Sequence, residues 1–538
     1  MSAARPWIGS FCALLCLGAV ACSDDGDGGP AIDAAGSDAA TVVDAAPLAD
    51  AAGEEILRYN MVRQKSSHNS YRRDEAHFDQ LVYHRIRSLE FDLHVRKTGA
   101  RVPGDWFVYH DFLERDTTCH MLSDCLAEMA AFDNGQPGHE VVTLWIDLKD
   151  AFEDEHRPAD LDALLATALP PGSVFRPADL MQACPQAQSF KEAVTGACAW
   201  PTLEALRGRF IVVLTGGDVS DPQSRLAEYL DQGGDPGARM AFVAPDLTDA
   251  ARLSGDPNVI FLNMELTHVD LAREVTDAGY VGRVWLVNNE TDWARAAVAH
   301  AHHIATDKIN HHVDQWAITH EITGWPFQCL EPCEFWGGEP DLMLAVEVFT
   351  GDIWGTSDSF WFFYKDDQPG RILSWTGFVS TANSHIEEWA KGCLMARAST
   401  AADAAYFAVC RPADNQRLRV QKRLTSGADS SAIEADITAP DTIDPESAAF
   451  IRMDVDADAR CITGLGSYNG NDWVAIDQQC FNEPLHLQGV AASSHDAGLL
   501  RLIFGRLHRI ADTAEPLSSA SFDNEAAIGG ASGSAWDI

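Results

Sequence analysis

Positive charge is scarce in this chain. Its 538 residues carry 39 Lys and Arg against 80 Asp and Glu, a formal charge of −41 at neutral pH. That balance argues against a nucleic-acid partner, whose affinity comes from neutralised phosphates. It argues equally against a basic surface drawn to anionic lipid. An acidic exterior is well solvated and favours divalent cations. Zinc-type cysteine spacing is also missing, since none of the thirteen cysteines forms a Cys-x-x-Cys pair. The most apolar N-terminal run, from Trp7 to Val20 and broken only by Ser10, is short for a membrane span.

What is present at the N-terminus reads as an address. Arg5 precedes the apolar run, and Ala19-Val20-Ala21-Cys22 closes it with small residues, the pattern of an export signal. A Cys after small residues resembles a bacterial lipoprotein cleavage box, so Cys22 is the expected lipidated residue and 1–22 the signal peptide. Ala19 stands where Leu is usual in that box. The chain is thus expected to be exported, and either lipid-anchored to the cell envelope at the outer membrane or secreted. Residues 23–55 are largely Asp, Ala and Gly with no aromatic residue, so they bury too little to fold and read as a linker. A tether of that kind reaches on the order of 30 Å.

Removing Cys12, Cys16 and Cys22 leaves ten cysteines in local neighbours. These are Cys119 and Cys125, Cys184 and Cys198, Cys329 and Cys333, Cys393 and Cys410, and Cys461 and Cys480. An even number in an exported chain points to disulfides.

From Ile56 the texture is α/β. Apolar runs at Tyr59–Val62, Ser88–Val95, Trp106–Tyr109, Val141–Leu148, Phe210–Leu214, Val259–Met264, Arg283–Val287 and His303–Thr306 alternate with helical stretches such as Asp160–Ala168 and Leu271–Ala278. Alternation of this kind predicts a parallel sheet with helical crossovers. Eight strands over roughly 250 residues predict a (β/α)8 TIM barrel across 56–320. A doubly wound open sheet is the alternative. Residues 321–343 are expected to link the barrel to 344–511, where many short alternating runs punctuated by turn residues predict an antiparallel β-sandwich. The small, polar stretch 512–538 is expected to be a loose tail.

Four of the barrel runs spend ionisable residues where burial is costly. They are Ser67-His68-Asn69-Ser70, Glu90-Phe91-Asp92-Leu93-His94, Val108-Tyr109-His110-Asp111 and Asp147-Leu148-Lys149. Barrel chemistry sits at the C-terminal ends of strands, and these residues obey that rule. Glu90 and Asp92 are two apart and share a face, as does His94. Carboxylates with an amide oxygen form a hard-oxygen cage for Ca²⁺ or Mg²⁺. Two histidines and a Lys beside such an ion make a kit for phosphoryl transfer. Each residue alone has a structural reading: a strand-end histidine, a solvated edge, a local ion pair. Their succession on consecutive strands favours one shared site.

These motifs resemble the catalytic barrel of the phosphoinositide-specific phospholipases C, in the secreted bacterial, calcium-dependent branch. The resemblance extends to Thr118-Cys119 with Cys125, to Pro137-Gly138-His139-Glu140, and to Ala305-Thr306-Asp307 in the manner of the wider phosphodiesterase superfamily. It implies Ca²⁺, with Mg²⁺ second, held by Asn69, Glu90, Asp92 and Asp147. Asp147 stands where Glu is usual, which shortens its reach. It implies His68 on the charged phosphate, His110 as acid to the departing diacylglycerol, and Glu90 or Asp147 as base on the inositol 2-hydroxyl. Lys149 resembles a phosphate contact. The implied substrate is a phosphodiester lipid, phosphatidylinositol, cleaved to diacylglycerol and a cyclic phosphoinositol.

The C-terminal half has its own likeness. Asp352-Ile353-Trp354-Gly355, the stretch Trp389 to Arg397, and Ala491-Ala492-Ser493-Ser494-His495 are similar to concanavalin-like sandwiches beside secreted enzymes, which makes a glycan a possible second ligand. Two other functions stay open. One is glycerophosphodiester phosphodiesterase, although that group usually has Arg-Gly after its first histidine where this chain has Asn69-Ser70. The other is a non-catalytic surface protein that binds glycan.

Overall fold

The computed structural model describes residues 57–537 except 197, 232–235, 312, 320–324, 332–342, 367–372, 382–388, 413–416, 436–449, 469, 496–499, 511–513, 517–521, 523 and 532. The expected signal peptide with Cys22, the 23–55 linker, and most of 321–343 including Cys333 lie outside them. Among the described residues no helix is long and apolar enough to cross a membrane.

Among the described residues eight short strands build the barrel of the first half: β1 (Val62–Ser67), β2 (Ser88–His94), β3 (Val142–Leu148), β4 (Phe210–Thr215), β5 (Phe242–Val243), β6 (Phe261–Glu265), β7 (Val281–Trp285) and β8 (His303–Thr306). Parallel ladders run from β2 through β3 and β4 to β5. Others run from β6 through β7 and β8 to β1. A single parallel bridge, Asp246 to Asn263, joins the two groups on one side. On the other, β1 and β2 share no ladder, and Ser88 Oγ donates to Ser66 Oγ at 2.8 Å across the seam. The result is a parallel barrel of the expected type.

Alternation along each strand sorts the side chains. On β2, Leu89, Phe91 and Leu93 face outward into the layer shared with the helices, as do Leu144, Ile146 and Leu148 on β3. That leaves Ser88, Glu90 and Asp92, and Thr143, Trp145 and Asp147, to the barrel interior. The outer layer is closed by helices that include Leu122–Gly135, Pro158–Ala168, Leu271–Asp277 and Glu290–Val298. Their starts are chemically marked. Pro158 opens one helix while Asp160 accepts from the Arg157 amide at 2.8 Å, and Asn289 caps another by accepting from the Asp292 amide at 3.0 Å. The lower interior is filled by Tyr59, Trp145, Trp200 and Phe261.

Two strand expectations are corrected. Trp106–Tyr109 is not a barrel strand: Phe107–Val108 runs antiparallel to β2 as a hairpin arm. Its apolar run covers that hairpin, which sequence periodicity does not distinguish from a barrel strand. The eighth barrel strand is instead Phe242–Val243, two residues long and too brief to show a period. The first strand also begins later, since Tyr59–Met61 is a 3-10 turn. The polar string Arg63-Gln64-Lys65-Ser66-Ser67 is nonetheless fully buried.

The second half is two antiparallel sheets. One runs in the order Val474–Cys480, Cys461–Ser467, Phe450–Val455, Leu373–Thr381, Leu500–Ile510, Met343–Val348, Gly533–Asp537. The other runs Ser431–Glu434, Arg419–Arg423, Tyr406–Pro412, Lys391–Arg397, Leu487–Ser493, Phe360–Asp366, Asn524–Ile528. Val346, Met453 and Phe504 of the first share one core with Leu394, Phe407 and Val490 of the second. The expected loose tail is therefore corrected. Asn524–Ile528 and Gly533–Asp537 each extend a sheet edge. Ile528 joins a core with Phe360 and Phe362, but one apolar residue among mostly small and polar ones shows no period, and backbone pairing does much of the holding. Against the barrel, Phe450 meets Phe78 edge-on at 5.7 Å and Arg411 lies 3.5 Å from Asp79.

Four expected cysteine pairs are bonded: Cys119–Cys125, Cys184–Cys198, Cys393–Cys410 and Cys461–Cys480. The last two join residues directly opposite in antiparallel ladders. The Cys329–Cys333 pairing falls outside the described residues.

Candidate active site

The chain leaves β1 at Ser67 and turns at once. Asn69 takes the left-handed conformation, with φ 49° and ψ 56°, which Asn tolerates better than most residues. The turn aims the Asn69 amide into the barrel, where it donates to Glu90 Oε2 at 2.9 Å. Ser70 Oγ accepts from the Glu90 amide at 2.8 Å and locks the same corner. The Asn69 side-chain oxygen accepts from the Tyr71 hydroxyl at 3.2 Å.

Glu90, Asp92 and Asp147 converge from β2 and β3, each with a carboxylate oxygen within 4.8 Å of the others. Three buried or half-buried carboxylates so close repel each other strongly, and the fold supplies two counter-charges. Arg283 on β7 reaches Glu90 Oε2 at 2.7 Å, and Asn263 Oδ1 accepts from its other nitrogen at 3.0 Å. Lys149 Nζ lies 2.6 Å from Asp147 Oδ2 and 3.0 Å from Asp92 Oδ2. Burial pushes the Glu90 carboxyl up, but Arg283, His68 and the Asn69 amide together hold it below the usual carboxylate range. Asp92 goes the other way. Burial lifts it well above that range, Lys149 pulls back, and Asp147 and Glu90 add to the rise. Burial would lower the Lys149 ammonium, but Asp92 and Asp147 keep it above its ordinary value.

His68 stands over this cluster. Its Nδ1 is 2.9 Å from Asp307 Oδ1 and its Nε2 is 3.9 Å from Glu90 Oε2. The ring stacks on Trp285 at 6.0 Å between centroids. Asp307 follows β8 directly. Burial raises its carboxyl, but His68 and Arg73 outweigh that and hold it below the ordinary range. Arg73 lies 3.0 Å away and the Asn288 amide donates to Oδ2 at 2.7 Å. An ionised carboxylate only accepts, so the His68 proton belongs on Nδ1 and Nε2 faces the cluster.

A hard cation fits these residues. Among the described residues Lys149 is the one counter-charge at Asp92, 3.0 Å from Oδ2, and Oδ1 is buried with no donor in hydrogen-bond geometry; a buried carboxylate short of partners is costly. Space beside Asp147 is kept by Gly216 at φ +93°. A Cβ there would collide with Asp147 Oδ1 and with the Leu148 carbonyl.

The structure thus joins His68, Asn69, Glu90, Asp92, Asp147 and Lys149 in one network. His110 is held apart from it. The ring is half-exposed, with Nδ1 2.9 Å from Glu114 Oε2. Glu114 in turn pairs with Arg72 at 2.5 Å, in the turn that follows Asn69. His94, which shares the parity of Glu90 and Asp92, stacks on Tyr109 at 3.8 Å and supports this loop. Arg283, Arg73, Trp285 and Asn288 were not singled out from sequence. Arg283 carries the same signal as Glu90, a charge inside an apolar strand.

No family model and no curated protein matches the chain. Among solved structures it is similar to a calcium-dependent phosphoinositol-specific phospholipase C from a Gram-negative Pseudomonas species, at 22% identity over 51% of this chain and 95% of that one, with a TM-score of 0.44. It is also similar to a glycerophosphodiester phosphodiesterase from Parabacteroides distasonis, at 14% identity over 47% and 96%, with a TM-score of 0.27. An Oleispira antarctica phosphodiesterase in complex with sn-glycerol-3-phosphate is 11% identical over 48% and 98%, with a TM-score of 0.28.

Proposed function

We propose that the barrel is an exported, calcium-dependent phosphodiesterase of the phosphoinositide phospholipase C type. The observation that carries this reading is the buried Glu90–Asp92–Asp147 cluster with His68 Nε2 turned toward it. Glu90, Asp92, Asp147 and the Asn69 oxygen would hold Ca²⁺, which when bound supplies positive charge for a phosphate and an attacking oxygen. The chain's own residues do the rest. His68, held through Nδ1–H by Asp307 and backed by Trp285, takes up a second proton on Nε2 with the incoming phosphate, and this imidazolium donates to a phosphate oxygen as negative charge builds there. Arg283 holds Glu90 in place, so Asp147 is the carboxylate we assign to take the proton from the attacking hydroxyl. Lys149, released from one carboxylate, contacts phosphate. His110, tied to the rim by Glu114, gives its proton to the leaving oxygen.

In the same reading Cys22 carries the lipid anchor at the outer membrane, and the two-sheet region is a concanavalin-like sandwich that takes glycan. Phosphorus NMR of the products tests the chemistry. Attack by the inositol 2-hydroxyl gives a cyclic phosphate, and an analogue lacking that hydroxyl is not cleaved. Direct release of glycerol phosphate from glycerophosphodiesters, with no cyclic species from phosphatidylinositol, would assign the barrel to glycerophosphodiesterase chemistry instead.

A further inference from the structure

The turn that carries Asn69 leads into a helix that cannot hold itself. His77–Val82 is six residues long, and its N-cap, Ala76, offers no side-chain bond. So short a helix has no stability of its own in water, yet all six residues are buried. Its neighbours keep it in place, and they come from both halves of the chain. Leu81 and Val82 pack into the outer layer of the barrel. Phe78 lies edge-on to Phe132 of a barrel helix at 6.3 Å and to Phe450 of the two-sheet region at 5.7 Å. Gly135 leaves room for Phe450, since a Cβ there would lie 3.0 Å from that ring. Beside Phe78, Asp79 lies 3.5 Å from Arg411 of the two-sheet region, and both are buried.

This helix in turn holds the corner where Asn69 meets Glu90. Gln80 is fully buried, and its Nε2 donates to the Ser70 carbonyl at 3.0 Å and to the Glu75 carbonyl at 2.8 Å. Ser70 Oγ donates to the Ser67 carbonyl at 3.1 Å and accepts from the Glu90 amide. The left-handed backbone of Asn69 persists because its surroundings fix it, and Gln80 is one of the groups that do so. A second path runs toward Asp307, the partner of His68. Tyr83 follows the helix, accepts a hydrogen bond from Arg501 of the two-sheet region, and stacks on His311 at 5.8 Å, four residues beyond Asp307.

We infer that Phe450 and Arg411 are positioning residues for the Asn69–Glu90 corner, and that the two-sheet region thereby sets how tightly the barrel holds its cation. Phe450 presses on Phe78 and Arg411 holds Asp79, so Gln80 stays bonded to Ser70 and the Asn69 amide stays on Glu90. The part about the cation rests on the phospholipase reading of the site, whereas the part about the turn rests on these contacts alone.

The test is hydrogen exchange of the full chain in chelator, followed at the amides of 68–72, with a calorimetric Ca²⁺ titration of the same proteins. Phe450→Ala speeds exchange in 68–72 about 10-fold, the size of one lost hydrogen bond. Arg411→Gln, which leaves the apolar interior whole, speeds it about 3-fold. Gln80→Leu cuts the bond to Ser70 directly and matches Phe450→Ala. Leu394→Ala empties a site in a core that contains neither Phe450 nor Phe78; it lowers stability and leaves exchange in 68–72 unchanged. Ca²⁺ binding weakens by the same factors in the first three variants and not in Leu394→Ala. Saturating Ca²⁺ returns exchange in Phe450→Ala toward the parent rate. Parent rates in 68–72 for both Phe450→Ala and Arg411→Gln, equal loosening in Leu394→Ala, or parent Ca²⁺ affinity in Phe450→Ala each overturns the inference. Faster exchange in the first three variants of a chain that binds no Ca²⁺ upholds the hold on the turn and removes the calcium reading of the site instead.

Discussion

Lys149 is the residue whose removal reports most about the carboxylate cluster. Its ammonium is the described cation closest to both Asp92 and Asp147, at 3.0 and 2.6 Å. Bare attraction at these distances is on the order of 5 kcal/mol per contact with an effective dielectric near 20, much of it offset by desolvation. Removing one partner of a buried pair costs about 3–5 kcal/mol. The Lys149 side chain is 29% exposed, so a figure of about 2–3 kcal/mol is expected for Lys149→Met after solvent screening. For a barrel of this size that lowers the barrel's melting transition by roughly 5–10 °C in chelator. The pH dependence has a definite sign. Burial has already raised the Asp92 carboxyl above its unfolded value, so its charge costs stability as pH rises past about 4. Without Lys149 that cost grows, and the gap between variant and parent widens from pH 4 to 7. At pH 3, with the Asp92 carboxyl protonated in both, its share of the gap is gone. Added Ca²⁺ replaces the lost charge, so it stabilises Lys149→Met more than the parent chain. Scanning calorimetry across pH, with and without Ca²⁺, is the assay. A variant as stable as the parent at pH 7 in chelator, or a gap independent of pH, would refute the idea that Lys149 neutralises these carboxylates.

Other outcomes follow from other contacts. Glu140 is buried between Arg85 and Arg87, at 2.9 and 2.8 Å; Glu140→Gln leaves two buried guanidinium groups short of a counter-charge and destabilises the barrel by about 3–5 kcal/mol in urea titrations. Burial works against the charged form of Glu140, but the two arginines hold its carboxyl far below the usual range, so the stability it lends is present above pH 4 and is lost as the solution is acidified below that. Asp307→Asn removes the charge and one of the two oxygens that His68, Arg73 and Asn288 share, so the His68 proton is no longer fixed on Nδ1; kcat on a phosphodiester falls about 10²-fold with little change in KM, while the melting temperature stays within a few degrees. Cys119→Ser with Cys125→Ser opens a short cross-link and costs about 2 kcal/mol by loop entropy, read as faster proteolysis of the 109–118 loop under non-reducing conditions.

Much of the barrel was legible because its strands are apolar runs bounded by turns, and the polar exceptions fell on successive strand ends. Glu90, Asp92 and Asp147 could be placed on one inner face from parity alone. Phe107–Val108 reads as a barrel strand because a run of apolar residues carries no record of its direction. Phe242–Val243 was missed because two residues show no period. Asp307, just beyond β8, was legible only through the Ala305-Thr306-Asp307 likeness, and Arg283 on β7 lies so far along the chain from Glu90 that nothing local in the sequence ties the two. Asn524–Ile528 and Gly533–Asp537 hold their places largely by backbone pairing, which composition does not record. The disulfide pairs were legible because each joins near neighbours, two of them across adjacent strands.

The assigned chemistry depends most directly on the link between the carboxylate cluster, a divalent cation and His68. The deciding measurement is diacylglycerol release from phosphatidylinositol in detergent micelles by the full chain, in Ca²⁺, in chelator, and by His68→Ala in Ca²⁺. Release that needs Ca²⁺, is restored on its return, and falls by about 10³-fold in His68→Ala is the predicted result. Release that continues in chelator, or at an undiminished rate without the His68 imidazole, would contradict it.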